Sequence, residues 1–259
     1  MHKSLLVGNF KMNPTSQEEV DQYLAVLKRE AGNKRFTRVE AILCPPDVFL
    51  SKFDTLPEGF HSGAQNMFWE KSGAFTGEIS PAMLKSLGID YVILGHSERR
   101  ALFGETDEIV KQKVDAALKH FLVPIVCVGE SRVERDQGQL DTVLQRQLQS
   151  IFAGVSKLQA GEIVLAYEPR WAIGTDILPT TSEILQVRIL IKKILGELFD
   201  GATAEKTRVL YGGSVKHAFL AAVSWEAQMD GVLVGRESLS PYEMIKMAES
   251  LEAAESEHV

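Results

Sequence analysis

The sequence predicts an α/β fold, a closed (β/α)8 barrel built as one domain over residues 1–259. Three observations carry this: eight short aliphatic runs of strand length, helical spacing between them, and no linker or low-complexity segment that divides the chain. The strands are expected at Leu5 to Gly8, Val39 to Cys44, Phe60 to Ala64, Tyr91 to Gly95, Val123 to Gly129, Ile163 to Tyr167, Arg208 to Tyr211 and Gly231 to Val234. Long helices are expected at Ser16 to Ala31, Thr106 to Phe121, Leu140 to Phe152, Ser182 to Phe199 and Pro241 to Ala254, with shorter ones after Pro46, Ser80 and Val215. Strict alternation implies parallel strands, because each return to the same end of a sheet needs a crossover. Eight such units suit closure. No GxGxxG follows a strand, which argues against two dinucleotide-binding halves.

Composition narrows the function. A formal charge of −7 and a pI near 5.5 give no electrostatic footprint for nucleic acid or an acidic membrane, so neither is an expected partner. Cys44 and Cys127 both fall in strand-like runs and no Cys/His spacing suggests zinc, so the thiols are expected reduced, with no metal and no cofactor. The first apolar segment is too short for a signal peptide and no run of ~20 apolar residues follows, which points to a soluble, cytoplasmic protein.

In barrels of this class the loops after the strands form the active face. After the first strand come Asn9 and Lys11; after the fourth, His96 and Glu98; after the sixth, Glu168; after the seventh, Gly212, Gly213 and Ser214; after the eighth, Gly235 and Arg236. Taken singly, Lys11 reads as a solvated lysine, His96 as a structural histidine and Glu168 as a surface carboxylate. Their joint placement on one mouth favours chemistry. A carboxylate base, an imidazole donor and an ammonium suit proton transfer next to a carbonyl, and glycine-rich turns offer backbone N–H groups to a phosphate.

The segments Gly8-Asn9-Phe10-Lys11-Met12-Asn13, Gly73-Ala74-Phe75-Thr76-Gly77-Glu78, Gly95-His96-Ser97-Glu98-Arg99-Arg100, Tyr167 to Thr175 and Tyr211-Gly212-Gly213-Ser214-Val215 resemble the signature segments of the triosephosphate isomerase family, in order and along the whole chain. A glutamate base, a neutral histidine electrophile and a closing lid are established features of that family, and they enter here with the resemblance. The resemblance implies interconversion of dihydroxyacetone phosphate and glyceraldehyde 3-phosphate through an enediolate. It makes Glu168 the base, His96 the electrophile, Lys11 and Asn9 the neighbours of the substrate oxygens, and Glu98 the holder of Lys11. Gly174, Ser214, Gly235 and Arg236 would bind phosphate, residues 169–179 would form the lid, and the Phe75-Thr76 loop would join two copies in a homodimer.

The chain departs from the family pattern at four places. Arg170 stands where the family has valine, Asp176 and Arg236 where it has glycine, and Ile177-Leu178-Pro179 where it has Lys-Thr-Ala. Two alternatives stay open on the sequence: another phosphate-binding barrel isomerase, and a catalytically weakened barrel that binds triose phosphate without turning it over.

Overall fold

The computed structural model describes residues 3–172, 178–213 and 215–254. Eight strands, β1 (Ser4–Asn9), β2 (Val39–Cys44), β3 (Phe60–Ala64), β4 (Tyr91–Leu94), β5 (Val123–Val128), β6 (Val164–Tyr167), β7 (Arg208–Tyr211) and β8 (Gly231–Val234), pair in sequence order as a closed barrel. All pairs are parallel, and β8 closes onto β1 through the register Leu5↔Gly231 to Gly8↔Val234. The expected (β/α)8 barrel is therefore the observed one.

Side chains alternate across each strand, which divides the core in two. Leu5, Val7, Ile42, Ile93, Ile125 and Leu210 fill the barrel interior together with the thiols of Cys44 and Cys127. Their neighbours Leu6, Leu43, Val92, Val126 and Leu165 point outward and pack beneath the helices. Both faces of most strands are apolar, so those strands appear in the sequence as continuous hydrophobic runs, while β3 carries an exposed His61.

The helices start on side-chain caps that satisfy their unpaired N–H groups. Ser16 caps Gln17–Ala31, Thr106 caps Asp107–Lys119, and Thr180 with Glu183 forms a capping box ahead of Thr181–Leu198. These long helices lie within a residue or two of their expected bounds. The short helices Ser97–Leu102, Arg132–Asp136, Lys157–Ala160 and Gly201–Lys206 were not expected from periodicity, because one turn repeats no apolar position often enough to register. Lys192, itself buried, ends the last of these by donating to the carbonyls of Ala204, Glu205 and Thr207 at 2.8, 3.1 and 2.8 Å.

Asp47 opens the 3-10 helix Asp47–Phe53 that follows β2. Its Oδ1 is buried without a hydrogen-bond partner, and burial raises its carboxyl to about 6 despite the opposing charge of Arg99. A folded-state value above the unfolded one means that this group favours folding below pH ~4, and that the contribution is lost as pH rises through ~6. Asp47→Asn is therefore expected to raise stability at pH 7 by roughly 1–3 kcal/mol and to change it little at pH 4. Urea unfolding at both pH values and one protein concentration checks this; an equal gain at both would show that the charge is not the cause.

Candidate active site

Residues at the C-terminal ends of the strands converge on a cavity of about 950 Å³ lined by Asn9, Lys11, His96, Glu168, Gly212 and Gly235, among others. Each is delivered by local structure. Gly95 takes φ +66°, and a Cβ there would lie 2.9 Å from Val110 and 3.0 Å from Arg100, so only glycine makes this turn from β4 into His96. His96 caps the helix Ser97–Leu102: its Nδ1 accepts the backbone N–H of Glu98 at 3.3 Å. That bond leaves the ring proton on Nε2, which lies 3.2 Å from Oε1 of Glu168. The other oxygen of Glu168 accepts the backbone N–H of Ser97 at 2.9 Å, and the side chain is 2% exposed.

Lys11 follows β1 in the left-handed conformation, with φ +53°. Lysine gains nothing from this region, so the neighbours must hold it. Its N–H donates to Oδ1 of Asn9 at 3.0 Å, and its carbonyl accepts from Nε2 of Gln65 at 2.8 Å, a nitrogen that also donates to the carbonyl of Cys44 at 2.8 Å. Held this way, the ammonium pairs with Glu98 at 2.6 Å. Gly235 lies alongside, where a Cβ would come 3.4 Å from Cε of Lys11. Gly212 serves Glu168 in the same sense, because a Cβ there would meet Cγ of the glutamate at 2.9 Å.

Arg236 is exposed and begins the 3-10 turn Arg236–Leu239, which Ser238 ties to the carbonyl of Gly235 at 2.6 Å. Gly174, Asp176 and Ser214 lie outside the described residues. Phe75 is half-exposed on the loop after β3, its ring 4.5 Å from that of Phe68.

Two further residues, Gln65 and Glu130, were not singled out from the sequence. Gln65 follows β3, and its position at a strand end was the available signal. Glu130 follows β5 and is fully buried; it accepts from Trp171 Nε1 at 2.8 Å and from the Tyr167 hydroxyl at 3.2 Å, and burial pushes its carboxyl upward. It thus ties the end of β6 to the chain just before residues 173–177. Cys127, on β5, is buried beside Glu168, and burial followed by that neighbouring charge holds its thiol well above the usual range. Among the described residues no group of three His, Cys, Asp or Glu side chains could hold a metal ion. None of the described helices is long and apolar enough to cross a membrane.

The sequence profile of the family described as Triosephosphate isomerase matches residues 4–251. The chain belongs to the triosephosphate isomerase family. It is 43% identical over 247 residues to a protein named triosephosphate isomerase from Alkaliphilus oremlandii, covering 95% of this chain and 98% of that one. It is 42% identical over 251 residues to one from Caldanaerobacter subterraneus subsp. tengcongensis, covering 95% and 99%. The match to the triosephosphate isomerase family thus takes in all eight strands and every residue described above at the mouth.

Proposed function

We propose that this chain is a triosephosphate isomerase, a single barrel domain that interconverts dihydroxyacetone phosphate and glyceraldehyde 3-phosphate by proton transfer. The observation that carries the reading is the shared position of Glu168, His96 and Lys11 in one cavity, with the imidazole proton on Nε2. Glu168 takes a proton from the carbon beside the substrate carbonyl. The Nε2–H of His96 donates a hydrogen bond to the carbonyl oxygen as negative charge develops there, and the Lys11 ammonium stabilises the resulting enediolate. The same carboxylic acid returns the proton to the adjacent carbon, while the hydroxyl proton on one substrate oxygen passes to the other, a transfer that Nε2 of His96 relays. Glu168 is seated against Ser97 and His96, so it must leave both to reach carbon. Asn9 holds the backbone that presents Lys11, Glu98 counters its charge, and Gly174, Ser214, Gly235 and Arg236 take the phosphate.

Coupled assays in both directions test the reaction, and running them in D2O tests the route. A carboxylic acid that exchanges with solvent before returning its proton leaves deuterium on the product carbon. Deuterium at that carbon marks the enediolate route, and no turnover would exclude the isomerase.

The homodimer belongs to the same proposal. Met12 is 87% exposed and Phe75 43%, and Val48, Leu102 and Phe103 are also largely exposed, all on the loops that follow β1 to β4. Apolar side chains on one half of the mouth suit burial against a second copy. Equilibrium sedimentation at micromolar concentration is expected to give twice the chain mass, and a fully active monomer would refute pairing as a requirement.

A further inference from the structure

Charge is distributed unevenly round the mouth. The loops after β5, β6, β7, β8 and β1 are neighbours in the closed barrel, and each brings one cation to the cavity wall: Arg132, Arg170, Lys216, Arg236 and Lys11. Three carboxylates, Glu98, Glu168 and Glu237, share that wall, so the cavity is net positive in a chain whose formal charge is −7. The two arginines that follow His96 on the neighbouring loop have partners, Arg99 with Glu105 and Arg100 with Asp107. On this arc Lys11 pairs with Glu98, and Arg132 pairs with Asp136 across an exposed contact. The side chains of Arg170, Lys216 and Arg236 make no hydrogen bond or ion pair among the described residues, although Arg170 sits near enough to Glu134 to help lower that carboxyl.

Unpaired cations on a cavity wall are available to a ligand. The turn at Gly235 and Arg236 is already assigned to the substrate phosphate under the proposed function, on which this inference rests. Arg170, Lys216 and Arg132 remain on the adjoining loops. The cavity's volume of about 950 Å³ lies near the top of the range that holds drug-sized ligands, more than a three-carbon phosphate fills. At physiological ionic strength exposed charges are screened over roughly 8 Å, so these cations act on what is bound in the mouth more than on what diffuses toward it.

The geometry points to a second anion subsite in this cavity, formed by Arg170 and Lys216 with Arg132 on the next loop, for the distal phosphate of a short-chain bisphosphate. Its first phosphate sits at the inner turn. Such a ligand competes with substrate and binds through both ends, the guanidinium of Arg170 presenting a fork that matches phosphate oxygens. A small bisphosphorylated metabolite would then act as a competitive inhibitor of this enzyme.

The test compares butane-1,4-diyl bisphosphate with butyl phosphate on the full chain at 0.1 M salt, by titration calorimetry and by inhibition of turnover. The bisphosphate is expected to bind at least tenfold more tightly. In the Arg170→Gln, Lys216→Gln double variant that ratio is expected to fall to threefold or less, with butyl phosphate affinity held within twofold. Lys216→Gln alone, at an exposed position, is expected to give an intermediate ratio. Lys34→Gln, which lies in a separate cleft with Arg35 and Glu249, is expected to leave the ratio unchanged. A parent ratio near one with butyl phosphate bound overturns the subsite alone. An equal loss in Lys34→Gln also overturns it, since net charge would then suffice. If neither ligand binds, the inner phosphate site and the subsite fall together.

Discussion

Glu168→Gln is expected to lower kcat by on the order of 10³-fold, because the amide keeps the shape of the side chain and loses the base. Glu168→Asp keeps the charge and shortens the stem by about one methylene, and a misplacement of ~1 Å costs on the order of 10²-fold. Gly212→Ala approaches the same carboxylate from the other side. The added Cβ would sit 2.9 Å from Cγ of Glu168, too close to remain, so the glutamate must move while its chemistry stays intact. The expected pattern across the three is a fall in kcat with KM changed little, since each disturbs a contact made in the transition state. Steady-state kinetics on the three variants decides. Near-parental turnover in Glu168→Gln would remove this residue from the mechanism.

Lys11→Met is expected to reduce kcat/KM by on the order of 10³-fold, the loss of one fixed charge facing a developing oxyanion. The ion pair with Glu98 is half-exposed, so its removal costs about 1 kcal/mol of stability at most. Activity and stability should therefore separate: turnover nearly abolished, thermal midpoint close to the parent's. A variant that unfolds several degrees early with turnover in proportion would mark Lys11 as structural, a role its left-handed backbone could suggest.

The barrel was legible because both faces of most strands are buried, which makes a run such as Val123 to Val128 apolar throughout, with Gly129 marking its end; β3, where His61 is exposed, is the exception. Position in the fold then made the candidate site legible, since Asn9, His96, Glu168 and Gly212 each lie at the end of a strand or within two residues of it. What sequence could not supply was the direction of a hydrogen bond. That His96 accepts from Glu98, and so keeps its proton on Nε2, depends on the turn at Gly95. Gln65 escaped notice because its role is to hold a carbonyl 54 residues away, a relation that no local pattern encodes. Glu130 resembled any carboxylate ahead of a helix, and only its full burial against Tyr167 and Trp171 distinguishes it.

Both sulfurs of the barrel interior are shut away from solvent, and burial lifts each thiol far above its ordinary range. Since the thiolate is the form that reacts, neither cysteine meets an alkylating reagent while the strands stay closed. Label can enter only when the staves part. With reagent in excess, its incorporation runs at the pace of that parting, so Cys44 and Cys127 serve the molecule as an internal clock for its own opening.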